Sequence, residues 1–421
     1  MFPEPLQFKD PRVSSLYAKL TLGNDRTTQD APPLRVPFEQ SVTELVLNIS
    51  EGCNLTCPYC FAGQGQYGRE KSLWMAPSTV AATVSYATER FPSLQFIKLF
   101  GGEPLMNLRA IEAVVETTQR VHRESPDREI TIGCVTNMTI FNKRFVEVAR
   151  EAHLQVAVSI DGPQEIHDIS RRFRNGRGSY ERIARVLEQY RASGLMPTNI
   201  ACTYTPIHVS HGLSMLNLYT FLQQEFDMSG VLLTVVNGWF SQHDTQERQF
   251  ATRVRDYAEE LFWMAGSTND PRFNTLRRQI LSTLLEPQPE GRWCGLGRNT
   301  ITVSADGTVL PCYTLIGSGP EWIMGDKIQD SADELSLSSI ADRAIAQASP
   351  AREPECQQCA IRTTCRGCPG GVFRSTGRFT GRDPSQCAYR VGAIEGFLLG
   401  RLEGASSRSS STAPSPREVS A

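Results

Sequence analysis

Three cysteines, Cys53, Cys57 and Cys60, stand at spacings of four and three in the run Cys53-Asn54-Leu55-Thr56-Cys57-Pro58-Tyr59-Cys60. Pro58 has no N–H to donate and opposes a helix through the triplet, so a loop must wrap the three thiols around one centre. Three thiolates satisfy three irons of a cubane 4Fe–4S cluster and leave the fourth iron open, free to hold a reactant rather than only pass electrons. The competing readings are a zinc knuckle and an ordinary ferredoxin loop. Structural zinc usually takes four protein ligands, and no fourth Cys or His follows nearby.

Seven more cysteines, Cys294, Cys312, Cys356, Cys359, Cys365, Cys368 and Cys387, lie in a glycine-rich stretch with little periodicity. A loop-rich region of this kind needs metal to order it, as iron–sulfur clusters or as a pair of zinc ribbons. Cys134 and Cys202 stand alone in apolar runs and read as small core residues. Other candidates follow the predicted strands. In Gly101-Gly102-Glu103-Pro104 the glycines let backbone approach a ligand, and the carboxylate can accept from an ammonium or cap the next helix. Asn137 and Asp161-Gly162 suit turns. The Arg171 guanidinium matches a carboxylate bidentately. His167 reads as a helix-start or packing residue.

These residues need a frame. Strands are predicted at Leu45–Ile49, Phe96–Phe100, Ile130–Val135, Gln155–Ile160, Thr198–Tyr204 and Val231–Val236, alternating with helical patterns. Such alternation implies βα units and a parallel sheet. Six strands are too few for a closed eight-stranded barrel, so the fold class is α/β, an open partial (β/α)6 TIM-like barrel. Ligands of such sheets collect beyond the strand C-termini, where the triplet stands. The expected organisation is an arm at 1–43, the partial barrel at 44–240, a helical connector at 241–290, the cysteine-rich domain at 291–392 and a disordered tail at 404–421.

Charge balances at −2, with 43 basic and 45 acidic residues, which gives no reason to expect nucleic acid or an anionic membrane as partner. No apolar run approaches the ~18 residues of a spanning helix, and no secretory signal opens the chain. Twelve cysteines, ten of them in two arrays, then fit metal in a cytoplasmic protein better than disulfides.

The pattern C-x3-C-x2-C followed by Phe61, together with Gly101–Pro104, resembles the radical S-adenosylmethionine (SAM) superfamily. The seven-cysteine array resembles the SPASM domain, a small loop-rich iron–sulfur extension. Together the two resemblances cover roughly 44–390. They imply that SAM chelates the open iron and is cleaved by one electron to methionine and a 5′-deoxyadenosyl radical. Gly101, Gly102 and Glu103 would bind the SAM amino group and Asn137 would touch SAM. Ser159 and Arg171 would meet its methionyl part, and Asp161 its ribose. One auxiliary cluster would take Cys356, Cys359, Cys365 and Cys387. The other would take Cys294, Cys312 and Cys368, its last iron held by a substrate thiolate or by some other ligand. The segment Cys365-x2-Cys368 departs from the family, which commonly has three intervening residues.

Residues 59–65 and 159–179 look similar to maturases of ribosomally made peptides, which implies a thioether or carbon–carbon link formed within a polypeptide substrate. Anaerobic sulfatase maturases are a sister group, and maturation of a protein-derived cofactor is a further alternative. Sulfatase maturases place an aspartate base directly after the cysteine corresponding to Cys312, where this chain has Tyr313. A flavodoxin- or ferredoxin-like reductant is implied. The arm is too short for the family's leader-binding domain, so leader recognition would fall to a separate protein. Outside enzymes, a zinc-binding or electron-transfer module remains.

Overall fold

The computed structural model describes residues 6–21, 38–239, 245–285, 294–325, 340, 342, 353–379 and 381–409. Eight strands among them form one sheet: β1 Glu44–Ser50, β2 Phe96–Gly101, β3 Thr131–Thr136, β4 Gln155–Ser159, β5 Asn199–Tyr204, β6 Gly230–Val235, β7 Thr300–Val303 and β8 Val309–Leu310. Their order is β6-β5-β4-β3-β2-β1-β7-β8. All neighbours from β7 to β6 run parallel, and only β8 is antiparallel to its partner β7.

The first six strands are those expected from the sequence, in an unbroken βα succession. β1 is buried along nearly its whole length because helices cover one face and the barrel interior the other, so Leu45-Val46-Leu47 needs no alternation. The intervening helices bury one stripe each. In Leu108–Glu124 the stripe is Ala110, Ile111, Val114, Val115 and Thr118, at helical spacing.

The C-terminal region is joined to the barrel. β7 pairs with β1, Glu44 to Leu47 opposite Thr300 to Val303, so this region extends the barrel's own sheet. It also ends in a long helix, Pro384–Ser409, where a disordered tail was expected from 404. The rest of that tail, 410–421, lies outside the described residues, as do 1–5 and 22–37 of the arm and 241–244 and 286–290 of the connector.

Helix Pro384–Ser409 lies along the connector helix Thr245–Ser267 in a backbone-to-backbone contact. A Cβ on Gly392, Gly396 or Gly400 would fall 2.4, 2.1 and 2.4 Å from the carbonyl oxygens of Arg255, Glu259 and Trp263. From the other side, a Cβ on Gly266 would fall 2.3 Å from the Phe397 carbonyl. Glycine at every fourth position therefore makes a smooth seam, and the breaks it suggests in sequence are the condition for the packing. The buried pair Arg255–Glu395 at 2.8 Å closes the same contact.

The described part of the arm, helix Pro11–Thr21, docks on this assembly. The Tyr17 hydroxyl lies 2.8 Å from the Thr364 hydroxyl, and the Ala360 N–H donates to the Leu6 carbonyl at 2.9 Å.

Overpacking such a seam commonly costs 1–3 kcal/mol or more. Gly396→Val is expected to lower stability by about 2 kcal/mol or more in chemical denaturation, whereas Gly396→Ala is expected to be milder but still destabilising, since even one Cβ collides.

Candidate active site

β1 delivers the chain into Gly52-Cys53, and β2 delivers it into Gly101-Gly102-Glu103. The two turns are stitched together by backbone: Gly102 N–H donates to Ser50 O at 2.6 Å and Glu103 N–H to Gly52 O at 2.9 Å. A Cβ on Gly102 would lie 2.2 Å from the Gly52 carbonyl oxygen, and one on Gly101 2.2 Å from that of Ser50, where φ is also +148°. Both positions need glycine, because any side chain would push the glycine-rich shelf away from the thiols.

Glu103 is buried and both caps the short helical turn Pro104–Met106 and ties β2 to β3. Its carboxylate accepts from Leu105 N–H at 2.9 Å, the Thr136 hydroxyl at 2.6 Å and Asn137 N–H at 2.7 Å. Burial pushes its pKa up against these donors. Asn137 bridges to the cysteine loop: its Nδ2 lies 2.8 Å from Asn54 Oδ1 and 3.7 Å from Cys53 Sγ. Its Oδ1 meanwhile accepts from Thr139 N–H at 3.0 Å, so the turn and the contact coexist.

At the end of β4, Ser159 is nearly buried and Asp161 is fully enclosed. Asp161 accepts from Arg171 Nε at 2.8 Å, from Thr203 N–H at 2.9 Å and from the Tyr59 hydroxyl. Burial opposes its charge, but Arg171 together with His167, Tyr59 and the Thr203 N–H outweighs burial and holds the carboxyl below its usual range. Arg171 Nε is thereby committed to Asp161, with its guanidinium 5.7 Å from the centre of the Tyr59 ring. Only its terminal nitrogens remain for a ligand carboxylate. Tyr59 therefore fastens the cysteine loop to β4, a role its sequence position did not disclose. His167 is a packing residue: Asp161 N–H donates to its Nδ1 at 3.2 Å, and burial pushes its pKa down to about 3.

A second fastening also had no sequence signal beyond an acid two residues before Cys53. Glu51 is fully buried against Arg69 Nε at 2.8 Å and accepts from Ala305 N–H at 3.2 Å, while Arg69 reaches Asp306 at 2.5 Å. Residues of the C-terminal region thus hold the base of the cysteine loop.

The three thiols of the loop sense one another. Burial pushes Cys53 up to about 12, with Glu103, Cys57 and Cys60 adding to it. Burial likewise pushes Cys57 to about 11, opposed by Arg171. The seven thiols of the C-terminal array fall into two neighbourhoods. Cys294, raised by burial, feels Cys312 and Cys368. Cys387, raised by burial, feels Cys365 and Cys356, and Cys356 in turn feels Cys359. Gly371 makes room in the first group, since a Cβ there would fall 3.3 Å from Cys368 Sγ, and Gly370 lies beside Cys312.

Among the described residues no three His, Cys, Asp or Glu side chains converge as the ligands of a single metal ion do. A cubane places each thiolate on a different iron, so its ligands need not converge on a point. A soft all-thiol set around a glycine-lined space fits such a cluster. Cys134 and Cys202 are buried core residues, as expected.

Between the two cysteine arrays lies an aromatic group. Tyr313 is 4.7 Å from Phe100 and 5.7 Å from Phe61, ring centre to ring centre, and the Lys98 ammonium is 5.3 Å from the Tyr313 centre.

A thiol loop after the first strand of a parallel βα sheet, facing a glycine shelf on the second, defines a radical SAM domain, and residues 47–213 match the Radical SAM superfamily. Residues 294–360 match SPASM, an iron–sulfur cluster-binding domain. The chain thus carries a radical SAM domain and a C-terminal SPASM domain, which support 4Fe–4S clusters and SAM as its cofactors.

Among relatives, a cysteine-type anaerobic sulfatase-maturating enzyme of Clostridium perfringens (strain ATCC 13124) is 24% identical over 339 residues, covering 77% of this chain and 87% of that one. Native anSMEcpe with bound AdoMet and Cp18Cys peptide superposes with a TM-score of 0.67 at 20% identity, over 87% of this chain and 99% of that one. Streptococcus suis SuiB bound to S-adenosylmethionine gives a TM-score of 0.51 at 15% identity, over 82% and 77%.

Leaving one member of a buried ion pair alone typically costs 3–5 kcal/mol. Asp161→Ala, which strands Arg171, is expected to destabilise by about that much in urea denaturation. Asp161→Asn, which keeps an acceptor for Thr203, is expected to cost less.

Proposed function

We propose that this protein is a peptide- or protein-modifying radical SAM oxidoreductase that abstracts hydrogen from a polypeptide side chain and forms an intrachain thioether or carbon–carbon link. When bound, the cluster supplies the electron for SAM cleavage, and SAM supplies the hydrogen-abstracting 5′-deoxyadenosyl radical. In this reading Cys53, Cys57 and Cys60 hold the open cluster, and Gly101, Gly102 and Glu103 form the shelf for the SAM amino group. Asn137, Ser159 and Arg171 line the methionyl end, and Asp161 orients Arg171. Cys356, Cys359, Cys365 and Cys387 would hold one auxiliary cluster, and Cys294, Cys312 and Cys368 the other.

The observation that carries the choice of reaction is Tyr313. Oxidising a serine or cysteine side chain to an aldehyde needs a base for the substrate's proton, and in the sister group an aspartate follows the cysteine corresponding to Cys312. Here burial pushes the Tyr313 phenol well above its usual range, with Cys312 and Cys368 adding to the effect, so it stays protonated and accepts no proton at neutral pH. A second reading, sulfatase-maturase-like oxidation, is favoured by the 24% identity with the Clostridium enzyme along most of both chains.

Anaerobic incubation with peptides encoded beside this protein separates the two. Cross-linking is expected to give a product two hydrogens lighter that does not react with a hydrazide probe. A hydrazide-reactive aldehyde would favour the second reading. Reconstitution is expected to load about 12 irons per chain for three cubanes. Replacing Cys53, Cys57 and Cys60 by Ala is expected to abolish 5′-deoxyadenosine formation while keeping about 8 of those irons, and stoichiometric zinc in their place would refute the cluster assignment.

A further inference from the structure

The outer side of the cysteine loop carries an open cleft of about 480 Å³, lined among others by Gly52, Cys53, Trp74, Met106, Phe173 and Arg174. Trp74 and Met106 leave 44% and 40% of their surface in solvent, unusual for large apolar side chains. Trp74 covers the start of the loop, since a Cβ on Gly52 would lie 3.3 Å from its ring. The apolar floor is therefore directly outside the first thiol.

One rim of this cleft is basic. The stretch Ser170 to Gly178 contains four arginines and no carboxylate. Arg171 turns inward to Asp161, whereas Arg172, Arg174 and Arg177 are exposed. The stretch folds back on itself through a bridge between Arg172 and Gly178 and is strapped to the cysteine loop by a bridge between Leu55 and Phe173. Thr56 N–H donates to the Arg172 carbonyl at 2.8 Å, and Arg174 Nη2 donates to the Cys53 carbonyl at 3.3 Å. Lys71, adjacent in sequence to the cleft-lining Ser72, is also exposed. The chain as a whole is slightly acidic, so a cationic rim here is a local departure and not a global trend.

We propose that this cleft and its arginine rim are the docking surface for an acidic one-electron donor protein, which delivers its electron to the cluster through the Cys53 side of the loop. The assignment rests on the radical SAM reading and not on the choice of peptide product. Apolar centre and charged rim divide the work as in other transient interfaces: the Trp74 and Met106 floor excludes water, and the arginines steer an anionic partner. The transfer itself makes and breaks no bond. The donor is oxidised by one electron and the cluster reduced by one, and the close contact of Arg174 with the Cys53 backbone places the rim against the acceptor. Charge complementarity also accounts for the rim's position, since arginines strapped to the loop move with the cluster they serve.

The test needs no peptide substrate. Reconstituted holoenzyme would be assayed for 5′-deoxyadenosine formation from SAM with two reductants, flavodoxin kept reduced by its NADPH-dependent reductase, and dithionite. Lys71→Glu combined with Arg177→Glu reverses two exposed charges with no internal side-chain partner among the described residues. The double variant is expected to lose about tenfold in kcat/KM for flavodoxin and to lose the decline of that rate with salt, while the dithionite rate stays as in the native protein. Trp74→Ser is expected to weaken flavodoxin saturation in the same selective way. An unchanged flavodoxin rate in the charge-reversed protein would overturn the assignment, and so would an equal loss with both reductants. Failure of peptide cross-linking with intact SAM cleavage would count against the proposed function alone.

Discussion

The mouth of the barrel depends on one close approach of backbone to backbone. Gly102 lies against Gly52 and Gly101 against Ser50 at separations that leave no room for a Cβ, and two N–H donors from the second turn are satisfied by carbonyls of the first. Carbonyl groups at a strand end would otherwise need water or side chains. Here they set the height of the shelf above the thiols with the precision of a β-ladder. Glu103 extends the same constraint to β3 by accepting from Thr136 and Asn137, and Asn137 returns it to the loop through Asn54. The groups at this mouth thus inherit their positions from main chain, and their side chains are held by neighbours already fixed.

Electrostatics supply a second layer. Inside the enclosure, Arg171 is the positive charge and Asp161 its partner, with Tyr59 donating from the cysteine loop to the same carboxylate. A buried pair of this kind contributes little net stability but is costly to break, so it fixes geometry more than it strengthens the fold. The two nearby histidines add no charge: burial lowers both His167 and His208. Glu51 and Arg69 act similarly on the other flank, where Ala305 and Asp306 of the C-terminal region complete the set. Loop, barrel and C-terminal region therefore share buried polar contacts and are not merely adjacent.

Much of this was legible beforehand, for identifiable reasons. The six parallel strands announced themselves as β-branched runs between amphipathic helices, and the thiol spacings required a loop at a strand end. The segments that escaped are those whose local signal is short or contrary. β7 has four residues and β8 two, set in a glycine-rich, cysteine-laden stretch, and only pairing with β1 makes them strands. Helix Pro384–Ser409 contains glycines that weaken helix propensity, and its partner's carbonyls compensate. Tyr59 and Glu51 sit in loops where no periodicity marks a buried partner. Asp161, predicted near a ligand, also accepts from three protein donors, a fact of tertiary geometry no turn motif could carry.

The glycine seam between the two long C-terminal helices has a mechanical meaning. Helices touching through their backbones cannot slide by a fraction of a turn without driving Cα hydrogens into carbonyl oxygens, so the pair behaves as a strut. Cys387 lies in the first turn of that strut, and β7 welds the same region to β1, beneath the cysteine triplet. The C-terminal thiols and the triplet are consequently held on one rigid frame while surface loops differ or shift. A frame of this kind fixes the distance between the two thiol arrays, and any electron passing between groups held on them would tunnel over a constant path, since tunnelling decays steeply with distance.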